Sequence, residues 1–387
     1  MYCTTAIIQS RVEAADTAVR LNARDPESHY TRALTLVNFD RLDEAVAELH
    51  EAIRLRPYHY YEWLDLGVTL DRLGDEKGAL DALEQSIRLA PNFAQPHWQL
   101  GNIYFRQQRY DEAFDELRRG AQEYPNLIEE LINLAWTAAD GDIARMESLI
   151  KVKNQTEQLK LARLLERHGD TSGALSGVRK AGRPSEQEAR DVLHEIVTDL
   201  MKARQFAEAY EVWALSQPEN SISRPGELLN GDFSYPILND SGFGWQTRSV
   251  PNVTASIDPA GPAVGARSLR IEYGGDSEPA EPVLGQLMLV KPGTNYSLGF
   301  LARSENLVTG GRPVIAVVDV TGEERKVLGY SKPIASVASD WTPYSAEFTT
   351  SKATSAVVIS VKREPCAQTP CPIFGRLWLS RFWLTSH

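Results

Sequence analysis

The chain has 387 residues, 42% of them apolar and 24% charged, with a net charge of −11 at neutral pH. That length exceeds one ordinary core, so two domains are expected. The acidic balance argues against nucleic acid as a partner, because phosphate binding needs a basic surface, and no run approaches the roughly 18 apolar residues of a membrane span.

The N-terminus, MYCTTAIIQSRVEAAD, has no basic leader and too short an apolar stretch for a signal peptide. From there to about Ser216 the apolar residues keep helical spacing. Pro57, Pro91 and Pro125 stand 34 residues apart, and three columns of small residues keep step with them. These columns are Ala52, Ser86 and Gly120; Ala45, Ala79 and Ala113; and Ala33, Gly67 and Gly101. Small side chains at fixed places in adjoining helices let the two backbones approach closely. Trp63, Leu66 and Leu70 give one helix its apolar stripe, and Leu80, Leu83 and Ile87 give the next helix another.

This pattern resembles the tetratricopeptide repeat. WLDLGVTLDRLGDEKGALDALEQSIRLAP, 63–91, keeps most signature columns, and QLGNIYFRQQRYDEAFDELRRGAQEYP, 99–125, follows closely. The preceding copy departs at Arg32, where leucine is usual. Weaker copies are expected at 127–150, 159–182 and 192–213. At the front, EAADTAVRLNA fits only the second half of a repeat, which implies more chain upstream, since a solenoid normally ends in a polar cap.

The resemblance implies an α-solenoid whose concave face is lined by the first helix of each repeat. Spacing puts Tyr30, Leu34 and Val37, then Tyr61, Leu64 and Val68, then Trp98, Asn102 and Phe105 on that face. An apolar, aromatic row of this kind suits a protein or peptide ligand. The alternative is that the chain's own helices cover the row.

Helical spacing stops near Ser216. The polar, proline-bearing stretch 217–226 is expected to be a linker between a repeat domain, 1–216, and a second domain, 227–387. There, short β-branched or aromatic runs at 266–273, 282–290, 295–303, 313–320, 341–350, 355–363 and 375–384 predict strands. Turn residues separate them, so the fold expected is a β-sandwich or jelly roll.

LLNGDFSYPILNDSGFGW, 228–245, together with ARSLRIEY, VKPGTNYSLGFLAR, DWTPYSAEFTTS and LWLSRFWL, resembles the jelly rolls of carbohydrate-binding modules. Such modules often carry an acidic pair in the last strand that helps hold a structural calcium. Ser380 and Arg381 stand there instead, so no metal or cofactor is expected, with a structural calcium in the sandwich as the lesser alternative. If the module binds polysaccharide, Tyr235, Trp245 and Tyr330 are the candidate contacts, because sugar sites combine aromatic faces with hydrogen-bonding groups. Trp341, Trp378 and Trp383 are expected in the core. Arg303, Asp319 and Arg363 each close a strand and are candidates for one internal ion pair.

Cys366 and Cys371 frame a short proline-bearing loop with no other Cys or His nearby, which favours a local disulfide over zinc or free thiols. Such a bond suits an oxidising compartment. An extracytoplasmic site, periplasmic or envelope-associated in a bacterium, is therefore expected, with the cytoplasm as the alternative because no signal peptide is visible.

The chain lacks HExxH, GxSxG, P-loop and GxGxxG motifs. His29 and His97 fill the Trp63 column, and the second domain has only His387. Asp232, Asp240, Asp258 and Asp319 show no spacing that selects a glycosidase pair. A non-enzymatic scaffold is expected, with a glycan-binding targeting protein as the alternative and a carboxylate glycosidase as a distant third.

Overall fold

A computed structural model describes residues 2–217, 227–237, 242–366 and 370–387, with side chains from Arg11 onward. The expected linker lies almost wholly outside these residues, as does Asp240. The first half is helical: α1 (Tyr2–Leu21), α2 (Pro26–Asn38), α3 (Leu42–Leu55), α4 (Tyr60–Leu73), α5 (Glu76–Leu89), α6 (Ala94–Arg106), α7 (Tyr110–Glu123), α8 (Ile128–Ala139), α9 (Ile143–Ile150), α10 (Gln155–Arg167), α11 (Thr171–Ala181), α12 (Gln187–Lys202) and α13 (Phe206–Ser216). Strands follow: β1 (Gln246–Thr247), β2 (Val253–Asp258), β3 (Ser268–Asp276), β4 (Leu284–Leu289), β5 (Asn295–Thr309), β6 (Pro313–Asp319), β7 (Lys326–Tyr330), β8 (Ala338–Thr349), β9 (Ala356–Arg363) and β10 (Pro372–Ser386). The α-solenoid followed by a β-sandwich is thus observed. The chain divides into two compact units, Met1–Lys160 and Leu161–His387.

In the first unit the small-residue columns have a direct cause. A Cβ on Gly67 would fall 2.6 Å from Leu83 Cγ, and one on Gly101 would fall 2.6 Å from Leu117 Cγ. The helices of each pair therefore touch at glycine. Aspartates start several helices: Asp75 accepts from the Gly78 amide at 3.0 Å and Asp142 from that of Arg145 at 3.1 Å, meeting amides that the first turn leaves unpaired.

The column shared by His29, Trp63 and His97 also has a physical rule. Each ring nitrogen faces the carbonyl six residues back: His29 Nε2 to Ala23 O at 3.1 Å, Trp63 Nε1 to Pro57 O at 2.9 Å, and His97 Nε2 to Pro91 O at 2.8 Å. Only a ring carrying an N–H can close that turn. The histidines have a second nitrogen, and it meets Glu48 at 2.6 Å and Glu116 at 2.5 Å.

Burial disfavours the charged form of His97, but Glu116 and the Pro91 carbonyl both accept from it, and together they hold its pKa above the usual value. A group raised in the folded state contributes stability that is fully present below its unfolded pKa, about 6.5, and lost as pH rises through the folded one. Thermal unfolding of the chain should therefore show stability falling with rising pH above neutrality. His97→Trp with Glu116→Ala, which copies the Trp63 and Ala82 of the neighbouring repeat, should flatten that slope. An unchanged slope would remove His97 as its source.

The second unit contains two five-stranded antiparallel sheets, ordered β1-β4-β9-β6-β7 and β2-β3-β10-β5-β8. Their facing residues form one core around Phe233, Leu269, Phe300, Ile315, Ile359 and Leu377. A two-layer sandwich normally leaves alternate residues exposed. β6 does not: Val314, Ala316 and Val318 are buried, like Ile315 and Val317 between them. The last helices of the unit touch the sandwich as well. Arg204 donates to the Val320 carbonyl at 3.2 Å, and Phe243 packs edge-on to Tyr210 with ring centroids 4.9 Å apart and against Trp213 at 5.6 Å.

Candidate functional site

The groove residues of the repeats divide by accessibility. Leu34 is 36% exposed and Tyr61 38%, while Tyr30, Val37, Val68, Trp98, Asn102 and Phe105 are half-buried. Leu64 corrects the expectation from spacing. It is 2% exposed and packs with Leu83, Leu100 and Ile103, so it belongs to the core between successive repeats.

Several groove side chains are held in place. The Tyr30 hydroxyl donates to Asp65 Oδ2 at 2.6 Å, bridging two repeats. Burial pushes the Tyr30 phenol up, and burial likewise holds Asp65 above the usual carboxylate range, so the phenol keeps its proton and remains the donor. Tyr61 stacks on Tyr60 at 4.2 Å and meets Phe93 edge-on at 5.6 Å. Phe105 packs against Tyr110 and Phe114. Ion pairs also run from repeat to repeat, Arg72 to Asp40 at 3.0 Å and Arg145 to Asp111 at 3.1 Å. Being exposed, they add little stability.

The sandwich candidates divide too. Tyr235 is 58% exposed and Tyr330 is 56% exposed. Trp245 corrects its expectation. It is buried among Phe233 and Phe382, and its indole N–H donates to Asn230 O at 3.1 Å. Trp383, expected in the core, is 44% exposed. The reason is a β-bulge: the register between β10 and β5 shifts between Ser380 and Trp383, which changes the face that later residues present. Trp378 is buried. It donates to Asp258 Oδ2 at 2.9 Å and lies under the Arg303 guanidinium, 4.2 Å from its ring centre.

Tyr330 borders a cleft of about 920 Å³ that also takes in Lys362, Glu278, Glu281, Cys366, Pro370 and Cys371. Burial, then repulsion by Arg325 and Arg248, lowers the Lys362 pKa. Cys366 and Cys371 are bonded, with Cα atoms 6.0 Å apart. Arg363 sits behind them and donates to the carbonyls of Gly311, Ser277 and Cys371. Arg303, Asp319 and Arg363 therefore do not meet: Arg303 stacks on Trp378 and Asp319 accepts from Thr354.

Asp258 and Asp319 lie on different sheets. Burial opposes their charge, but hydrogen bonds from Trp378 and Thr354 respectively outweigh it and hold both below the usual carboxylate range. Neither is suited to keep a proton as a general acid. Among the described residues no group of three or more His, Cys, Asp or Glu is placed to hold a metal ion, and no helix is long and apolar enough to cross a membrane.

The helical hairpins that close at glycine and the paired five-stranded sheets each agree with a family. Residues 64–128 match the tetratricopeptide repeat, and residues 227–368 match a carbohydrate binding domain. The chain thus holds a helical repeat region, matched in part by the tetratricopeptide repeat, followed by a β-sandwich matched by a carbohydrate binding domain. It is 24% identical over 149 residues to DnaJ homolog subfamily C member 3 of Mus musculus, covering 38% of this chain and 28% of that protein. It is 27% identical over 124 residues to the Homo sapiens form, covering 32% and 24%. The chain spans about a quarter of the length of these curated relatives. Among solved structures, MamA aligns with a TM-score of 0.36 at 17% identity, covering 43% of this chain and 93% of that one. Xylanase 10B modules of Clostridium thermocellum, solved with xylohexaose, align at 0.29 and 15% identity, covering 41% and 28%. Scores this low carry no argument beyond the two family matches. Repeats of this family are protein-binding modules and the sandwich family binds carbohydrate; both are non-catalytic.

Proposed function

We propose that the protein is a non-enzymatic adaptor, gripping a protein or peptide along the repeats and a glycan through the sandwich. The observation that carries the reading is the exposure of Leu34 and Tyr61, with half-buried Trp98, at positions that the repeat spacing puts on one face, in the same chain as a β-sandwich matched by a carbohydrate binding domain. Aromatic side chains held by their neighbours lose little freedom on binding, which suits them to anchor a partner. An oxidising, extracytoplasmic compartment fits the Cys366–Cys371 bond, and envelope polysaccharide is a class of glycan such a protein would meet there.

Leu34→Ala with Tyr61→Ala tests the groove. Both side chains are exposed enough to be removed without opening the core. Against a peptide selected from a display library on the wild-type chain, the double variant should bind at least tenfold more weakly, because two anchors at about 1 kcal/mol each are lost. Its melting temperature should stay within a few degrees of wild type. Equal binding by the double variant would sink the groove reading.

A further inference from the structure

The bulge in β10 and the loop from Leu228 to Tyr235 meet around a depression of about 480 Å³ that includes Tyr235 of the expected contacts but neither Trp245 nor Tyr330. Its lining includes Asp232, Ser234, Tyr235, Arg381 and Trp383. Trp383 pairs with Gly299 of β5, and a Cβ on that glycine would sit 2.1 Å from the indole. One face of the indole therefore lies flat on bare backbone, and the ring as a whole remains 44% exposed. Beside it the chain bulges at Arg381, which adopts φ of +50°. A non-glycine residue in that region is costly to hold, and such positions gather at functional sites. The bulge leaves the Arg381 side chain exposed at the rim of the depression, with no hydrogen bond or ion pair among the described residues.

The loop that completes the lining is held just as firmly. Asn230 clasps Tyr235 twice, its side-chain amide donating to Tyr235 O at 2.8 Å and its oxygen accepting from the Tyr235 amide at 3.0 Å. Asp232 accepts from the Ser234 amide at 3.2 Å. Gly231 lies so close to β10 that a Cβ would come within 2.3 Å of the Phe382 carbonyl, and the Phe382 amide donates to Gly231 O at 2.8 Å. The lining thus combines an apolar indole with a fork of donors, a phenol, and a carboxylate that already takes the Ser234 hydroxyl at 2.5 Å and keeps further acceptor capacity.

A sugar ring has the matching surface: an apolar face of C–H groups, and edge hydroxyls that both donate and accept. Opposite charges at the rim suit neutral hydroxyls better than an anionic sugar, which Asp232 would repel. We infer that this depression is a binding site for a neutral pyranose unit of a glycan chain, with Trp383 as its stacking platform and Arg381, Asp232 and Tyr235 as its hydrogen-bonding edge. The inference rests on the reading of the sandwich as a glycan-binding module and places that activity away from the Tyr330 cleft.

Native affinity electrophoresis of the full chain tests it, in gels cast with dextran, laminarin, xylan or hydroxyethylcellulose, and with polygalacturonate as the acidic arm. Wild type should be retarded by at least one neutral polymer. Trp383→Ala should weaken that retardation about tenfold or more, and Arg381→Ala and Tyr235→Ala should each weaken it severalfold. Tyr330→Ala should leave it unchanged. Because Trp383→Ala strips a strand contact, its melting temperature is measured alongside. If it unfolds, the Arg381→Ala, Tyr235→Ala double variant carries the test, both residues being exposed. Retardation that survives these changes, or is lost with Tyr330→Ala, overturns the site while the glycan reading stands. Retardation by polygalacturonate alone overturns the neutral-sugar assignment. No retardation of wild type by any polymer overturns site and reading together.

Discussion

Alanine at position 233 is expected to lower the stability of the sandwich unit by about 3–5 kcal/mol, the usual cost of emptying a buried phenylalanine position. Phe233 is fully buried and meets Trp245 at 5.6 Å and Phe382 at 6.1 Å between ring centroids. It reaches that place from a backbone with φ of +55°, a conformation the alanine would still have to adopt without the packing that offsets it. The loop that carries Phe233 also supplies Asn230 O to the Trp245 indole and Gly231 O to the Phe382 amide. Losing the anchor should therefore loosen the whole rim, and any glycan retardation should fall with it. Calorimetry of the full chain is the measurement. The transition of the sandwich unit should move down while that of residues 1–160 stays, since the substitution lies in the other unit. A loss under about 1 kcal/mol would mean that Phe233 is not the anchor of this loop.

The repeats were legible because their physics is local. A helix pair needs small residues where the backbones touch, and these recur at a fixed period, so Gly67 and Gly101 announce themselves against Leu83 and Leu117. Most strands were legible for a similar reason, since alternation marks a buried face. Three were not. β1 is two residues long and β7 is an exposed edge strand, so neither carries an alternating apolar run; β2 does alternate, with Val253, Ala255 and Ile257 toward the core, but the run is short and only partly buried.

Site residues were harder to read, because exposure depends on what lies across the gap. Leu64 sits on the groove column, yet its own helix pair and the next repeat enclose it. Trp245 has the look of a loop aromatic but closes the core over Phe382. Trp383 has the alternation of a core residue, and a single bulge at Arg381 changes what it faces. The available signal was the pair Ser380 and Arg381: two polar residues in succession inside the run 377–384 mark a break in the apolar pattern.

Arg363 should prove to be the second large determinant of the sandwich, and it works by geometry more than by charge. It is 6% exposed, and its partners are neutral. Nε donates to Gly311 O at 3.2 Å, one terminal nitrogen to Ser277 O and Oγ at 2.9 Å each, and the other to Thr309 Oγ1 and Cys371 O, also at 2.9 Å each. Burial works against the charge and lowers the pKa, but a guanidinium stays protonated and so keeps all its donors. One planar fork thereby ties the 277 loop, the turn after β5 and the disulfide loop to the end of β9. Methionine would fill much of the volume and remove the desolvation cost, yet it would strand three carbonyls at about 1 kcal/mol or more apiece. A net loss of about 3 kcal/mol follows. Lysine should recover little of it, because an ammonium gathers its donors at one point and cannot serve three directions. Reducing the Cys366–Cys371 bond in wild type should cost about 2 kcal/mol for so short a loop. Combined with Arg363→Met it should cost less than the sum, since both changes free the same segment. Wild-type stability in Arg363→Lys would show that the charge suffices and the fork does not matter, and strict additivity with reduction would show that the arginine does not hold the loop.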